Sequence, residues 1–262
     1  MKKNAVISFS GGLDSTSLLL QLLNNNYNKI FALSFNYGQK HLLELKKADK
    51  NIKYLNKHKF DITHKILDIS DAVSILDSSL TNKNDSIPNG YYKEENMKST
   101  VVPNRNAIFT SFIYAFALTI YKKTNNQVDI ALGVHAGDHD IYPDCREEFY
   151  YKIYDALKIG NWNSENINLF LPYLKFSKSE IIKNALDTCQ NLNLDFNKIF
   201  KNTLTSYEPN DKGISNGKTA SDIERILAFN ELGIKDPIKY NLPWEDVLQH
   251  ALNIEKKFKN CL

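Results

Sequence analysis

The sequence predicts an α/β protein: a parallel sheet with helices on both faces, followed by a small helical lobe. Three observations predict it. Short apolar runs alternate with helix-like stretches through residues 5–69, a glycine pair directly follows the first apolar run, and strand-like runs fade after about residue 187.

Residues 5–9, Ala-Val-Ile-Ser-Phe, read as a buried strand that Ser10-Gly11-Gly12 ends. A helix follows from about Thr16 to Leu23, where Leu18, Leu19, Leu20, Leu22 and Leu23 give a broad apolar face. A second strand is expected near 30–36, a helix over about 41–56 and a third strand near 63–69. The stretch 78–104 is polar and turn-rich, with Pro88-Asn89-Gly90 and Pro103, and loops of that length inside a domain usually serve a function. The helix expected from about Asn106 to Tyr121 is nearly apolar all round and so predicts deep burial. Strands are then expected at 128–134 and 168–174, with Ser177 or Ser179 opening a further helix. The division is 1–186 for the sheet domain and 187–262 for a helical lobe packed on it as one unit.

Composition narrows the class. The chain has 262 residues, 42% hydrophobic and 24% charged, with 33 basic and 30 acidic side chains. That balance is close to the soluble average and gives no basic stripe, so a nucleic-acid partner is not expected. Lys46, Lys47, Lys50, Lys53 and Lys57 read as the solvated face of a helix. Three widely spaced cysteines, Cys145, Cys189 and Cys261, suggest neither a disulfide framework nor a metal site. The basic-then-apolar start is too short for a secretory signal and no run reaches membrane-spanning length, so a cytoplasmic protein with no membrane partner is expected.

The sharpest signal is Ser10-Gly11-Gly12-Leu13-Asp14-Ser15 between an expected strand and an expected helix. Two glycines let the backbone turn tightly and bring its N–H groups against an anion, and the helix end adds its positive pole. Ser10, Ser15 and Thr16 add hydroxyls. A plain glycine-rich turn is the bland alternative, but five specified positions recur by chance in a chain of this length only a few times in ~10⁴. With no lysine after the glycines, the loop is neither a Walker loop nor a dinucleotide turn. It resembles the pyrophosphate loop of the ATP-pyrophosphatase superfamily, which implies an adenine nucleotide alpha-hydrolase-like, Rossmann-like fold and cleavage of ATP between its α and β phosphates.

Four further segments specify the resemblance. They are Ser34-Phe35-Asn36-Tyr37-Gly38-Gln39-Lys40-His41, Met97 to Asn106 (Met-Lys-Ser-Thr-Val-Val-Pro-Asn-Arg-Asn), Gly133-Val134-His135-Ala136-Gly137-Asp138-His139, and Tyr142-Pro143-Asp144-Cys145-Arg146-Glu147-Glu148-Phe149. Each falls at a strand end or a helix start, where ligands bind in open α/β sheets. Taken singly they have plain readings, Asn104 or Asp144 as helix caps, while Gly137 and the absence of a nearby third ligand argue against His135 and His139 as a zinc pair. Together they resemble the 7-cyano-7-deazaguanine synthases of queuosine biosynthesis, over about residues 5–240.

The resemblance implies conversion of 7-carboxy-7-deazaguanine, ammonia and ATP to a nitrile, by adenylation of the acid, displacement by ammonia, and a second adenylation before dehydration. It implies ATP and magnesium held by Ser10, Gly11, Gly12, Leu13, Asp14, Ser15 and Thr16, with Asp14, Ser15, Lys178 and Arg105 in catalysis. Lys178 would stabilise phosphate charge, and Arg105 and Arg146 would recognise carboxylate or phosphate through their guanidinium forks. Asp144 would accept hydrogen bonds from the donor edge of the guanine-like ring. A homodimer is allowed for.

The chain departs from that family chiefly at its expected zinc site. Where the family pattern carries four zinc-binding cysteines, as T-C-Y and then C-G-x-C-x-x-C-x-x-R, this sequence has Ser206, Asn216, Thr219 and Asp222. Two hydroxyls, an amide and one carboxylate do not make a zinc site, so zinc is expected to be absent. Ser221-Asp222-Ile223-Glu224 has the form of a capping box, giving a helix at about 222–232 that stands without metal. Lys40 replaces a common arginine. These departures leave two alternatives: a zinc-free paralogue that passes the adenylated acid to another amine, such as one on a protein, or a silent nucleotide-binding partner.

Overall fold

The structure, a computed structural model, describes residues 3–40, 42–81, 99–135, 137, 142–206, 210 and 212–259. His41, Pro88-Asn89-Gly90, Met97-Lys98, Ala136, Asp138, His139, Tyr207 and Cys261 lie outside the described residues.

Five strands form one sheet: β1 (Asn4–Ser8), β2 (Lys29–Asn36), β3 (Ile62–Asp68), β4 (Val128–Ala131) and β5 (Ile167–Phe170). Their order is β3-β2-β1-β4-β5 and every pairing is parallel. Buried on both faces, β1 reads as a continuous apolar run, which is why the sequence displays it so clearly. Within that run the side chains still alternate. Ala5 and Ile7, with Ala32 and Ala131, join one apolar cluster, whereas Val6, Leu33, Phe35 and Ile130 join the other.

The first cluster is covered by α1 (Leu13–Asn24), α2 (Leu43–Lys57), α6 (Lys178–Asn191), α7 (Phe196–Phe200) and α8 (Ala220–Glu231). Leu18, Leu19, Leu20, Leu22 and Leu23 of α1 are all buried there, each contributing about 1.5–3 kcal/mol relative to exposure. The second cluster is covered by α4 (Arg105–Thr124) and α5 (Glu147–Ile159). A short α3 (Ser70–Val73) follows β3, and α9 (Trp244–Lys259) packs Val247 and Ala251 against Ile223 and Ile226 of α8. Residue 187 falls within α6, and Ile199, Phe200 and Phe229 share the apolar cluster of α1.

Three local expectations are corrected. Helix α4 is not deeply buried all round: Ile113, Tyr114, Ala117 and Ile120 face the sheet while Phe112 is 44% exposed. It is an outer-layer helix, and a sheet can cover only one side of it. Helix α8 starts at Ala220, because Thr219, not Ser221, is its cap: the Asp222 N–H donates to Thr219 Oγ1 at 3.3 Å and Asp222 Oδ2 accepts from the Thr219 N–H at 3.3 Å. Asp144 caps no helix, since it lies inside a 3₁₀ turn over Pro143–Cys145 and Arg146 precedes α5. Asn104 does precede α4, but in the left-handed region at φ 55 and without a side-chain cap bond. Ser177 caps α6 as expected, in a box with Glu180.

Candidate active site

Chain order runs β1 to β3 outward on one side of β1 and then restarts with β4 on the other, so the crevice between the carboxyl ends of β1 and β4 is the switch point. The residues after β1 form the phosphate loop. Gly11 has φ +82, and a Cβ there would lie 2.8 Å from the Ala48 Cβ of α2, so both backbone and space require glycine. Serine hydroxyls brace the turn: Ser10 Oγ and Ser15 Oγ are 3.1 Å apart, the Gly11 N–H donates to Ser15 Oγ at 3.2 Å, and the Gly12 N–H donates to Ser10 Oγ at 3.2 Å. No side chain caps α1, which leaves its N-terminal N–H groups to the crevice.

The crevice has a cavity volume of about 290 Å³, and its lining includes Ser10, Gly12, Leu13, Asp14, Ser15 and Arg105. Gly11 and Thr16 are not in the lining: Gly11 turns toward α2, and the Thr16 hydroxyl is fully buried without a hydrogen-bond partner.

Lys178, the first residue of α6, reaches the loop from across the chain. Its Nζ donates to Asp14 Oδ1 at 2.9 Å and Oδ2 at 2.8 Å, lies 2.8 Å from His135 Nε2, and is 3.3 Å from a Glu224 oxygen. Burial alone would raise the Asp14 carboxyl, but Lys178 and then His135 outweigh it and hold the carboxylate below its ordinary range. His135 is buried at the end of β4, with its Nδ1 accepting the Gly137 N–H at 3.0 Å. It therefore belongs to the lysine network, a role that the zinc-pair reading did not contain.

The opposite wall is flat and aromatic. Phe35 and Phe109 stack with centroids 4.0 Å apart, Tyr37 meets the Phe109 ring at 5.6 Å, and the Arg105 guanidinium sits 5.8 Å from the Tyr37 ring centre. Glu44 on α2 lines the same wall and accepts from Gln39 Nε2 at 2.8 Å. Burial pushes its carboxyl up to about 7, against the pull of Gln39 and Arg105. Asp144 and Arg146 are not in the lining; the Asp144 carbonyl accepts from Asn106 Nδ2 at 3.5 Å and Arg146 is exposed.

The C-terminal segment closes the floor. The Leu204 N–H donates to the Gly11 carbonyl at 3.3 Å, and Leu204, Thr205 and Ser206 line the crevice. Beneath them, three of the four positions expected to replace cysteine converge. Asp222 Oδ2 accepts from Ser206 Oγ at 2.9 Å and Thr219 Oγ1 at 2.7 Å, and Oδ1 accepts from Ser215 Oγ at 2.7 Å. Asn216 instead accepts from the Lys218 N–H at 2.8 Å, so Ser215 takes its place. Among the described residues no group of three or more His, Cys, Asp or Glu could hold a metal ion.

A parallel sheet of this order, with a glycine-turned loop at its switch point, is the architecture of a nucleotide-binding α/β protein. The sequence model of the family described as "Queuosine biosynthesis protein QueC" matches residues 4–233. The 7-cyano-7-deazaguanine synthase of Marinomonas sp. (strain MWYL1) is 40% identical over 240 residues, covering 92% of this chain and 99% of that protein. The synthase of Caldicellulosiruptor bescii is 38% identical over 238 residues, covering 91% and 97%. Among solved structures, NMN synthetase from Francisella tularensis is similar with a TM-score of 0.43 and 13% identity over 95% of this chain and 83% of that one. This chain belongs to the QueC family. No described helix is long and apolar enough to cross a membrane.

Proposed function

We infer that the chain converts 7-carboxy-7-deazaguanine, ammonia and ATP to 7-cyano-7-deazaguanine, with release of AMP and pyrophosphate. The observation that carries this reading is one crevice with the phosphate loop at one wall and a flat aromatic wall with Arg105 facing it, in a chain of this family.

A carboxylate oxygen of the substrate attacks the α-phosphorus and pyrophosphate leaves; ammonia then attacks the acyl carbon, AMP leaves, and an amide results. The amide oxygen attacks a second α-phosphorus and pyrophosphate leaves again; loss of AMP and the two amide protons then gives the nitrile. The protein's part is positioning and charge. Ser10, Gly12 and Ser15, with Gly11 setting the turn, hold the phosphates. Lys178 and Arg105 offset negative charge, and the aromatic wall receives the planar base. A magnesium ion suits this site, because it takes one or two carboxylates together with phosphate oxygens, and Asp14 presents a partly exposed carboxylate beside the loop hydroxyls. Bound there, it would neutralise phosphate charge.

Purified protein given the acid, ammonia, ATP and magnesium should form AMP, pyrophosphate and the nitrile. Formation of ADP and phosphate would overturn the reading. AMP formation without nitrile would transfer support to the paralogue that feeds another amine.

A further inference from the structure

We infer that Glu224 is a positioning residue for Lys178, and that through it the C-terminal lobe sets the geometry of the phosphate loop. In the sequence pattern of the family this position is one of the unspecified residues before Arg225. Its spacing from Ser221 marks it only as a capping candidate. The structure marks it as more, by four contacts around one ammonium.

Lys178 has three hydrogens to give, its side chain is 5% exposed, and the groups around its ammonium come from three elements: the Asp14 carboxylate on α1, the His135 ring after β4, and the Glu224 carboxylate on α8. Asp14 faces the crevice, where a bound phosphate would compete with it for the ammonium and a cation would compete for its carboxylate. Glu224 lies on another side and holds the ammonium in place during that competition, with the His135 ring beside it. Glu224 is itself wedged. A Cβ at Gly137 would collide with a Glu224 oxygen, and the Gly137 N–H fixes the His135 ring at 3.0 Å, so Gly137, His135, Glu224 and Lys178 form one closed group.

The direction of Glu224 is set by the register of α8. Thr219 and Asp222 fix the first turn, tied down by Ser206 and Ser215, and Arg225 locks the next residue to Asp236 at 2.6 Å and to Thr203 and Thr205 at 2.8 Å. Glu224 lies between these two anchors. The hydrogen-bonded knot is therefore connected to Lys178 through two residues of rigid helix.

The inference rests on the ATP-to-AMP reading above, which wild-type AMP release tests by itself. A double-mutant cycle in single-turnover AMP formation tests Glu224. Glu224→Ala should lower the rate roughly ten- to hundredfold, as expected for an angstrom-scale misplacement, and leave KM for the deazaguanine acid unchanged. Glu224→Gln, which keeps an acceptor in place, should fall between Ala and wild type with an unchanged melting temperature. In a Lys178→Ala background, Glu224→Ala should cost nothing further. Multiplicative losses in the double variant, or Ala and Gln variants both at the wild-type rate, would overturn the assignment. So would a Gln variant that loses melting temperature and activity together with a rise in KM for the acid, since that pattern is a folding defect.

Discussion

The Ser206 hydroxyl donates to the Asp222 carboxylate across 2.9 Å, joining two positions that the family pattern fills with zinc-binding cysteines. With Ser215 and Thr219 the carboxylate is surrounded by hydroxyl donors where a metal would be surrounded by thiolates. The cross-link between the segment at 206 and helix α8 is retained, made of hydrogen bonds. Elemental analysis of chelator-free protein should therefore find far less than one zinc per chain, and a strong chelator should leave the melting temperature unchanged. One zinc per chain surviving dialysis would refute this.

Arg225 should prove the most sensitive single residue of the lobe. It is fully buried, and its fork meets both Asp236 oxygens at 2.6 and 2.9 Å. Removing one partner of such a pair strands the other, at a cost of about 3–5 kcal/mol. Arg225→Ala should lower the urea midpoint accordingly, and Arg225→Lys should fail to restore it, because an ammonium cannot reproduce the fork. A lysine variant as stable as wild type would count against the geometry.

In the loop, Asp14 and Ser15 have separable jobs. Asp14→Asn keeps the shape but removes the charge opposite Lys178, and AMP release should fall about a hundredfold or more. Ser15→Ala removes the hydroxyl that ties Gly11 to Ser10, one hydrogen-bonded brace, and should cost about tenfold. Both follow from a direct AMP assay. Equal rates for either variant and wild type would contradict the roles.

Glu44 gives a pH signature. Its carboxyl is held at about 7 in the folded protein against an ordinary 4.5. Between those values the folded chain keeps a proton that the unfolded chain releases, so this group's contribution to stability declines as pH rises through the window and is lost above about 7. Glu44→Gln has no such proton. The melting temperature of the variant minus that of wild type should climb from pH 5 to pH 8 and then level. A flat difference would show that Glu44 is not perturbed.

Much of this was legible in the sequence, for a local reason. The strand at 5–9, the glycine turn and the leucine face of α1 are each set by neighbours within a few residues, and they appear where expected. Lys178 was singled out through the resemblance, and its meeting with Asp14 is seen only in the structure. The start of α8 was not, because Thr219 with Asp222 and Ser221 with Glu224 both fit a capping pattern. Only the distant partners Ser206 and Ser215 decide between them. Glu44, His135 and Glu224 reach the crevice network from elements far apart in the chain, and no spacing rule encodes that meeting. Of the residues that line the crevice, Arg105 was expected from its motif and Glu44 was not, and Asp144 and Arg146 are not in the lining.

Lys178 meets Asp14 across 164 residues of sequence, and Glu224 comes later still. A chain emerging from the ribosome thus exposes its whole phosphate loop long before the ammonium that faces it has been translated. Strands β1, β2 and β3 can already pair at that stage, but nothing yet sits opposite Asp14. At that stage the loop stands without its lysine. The two meet only when α6 folds back onto α1, so a copy cut short before residue 178 carries the loop and lacks the ammonium that pairs with Asp14.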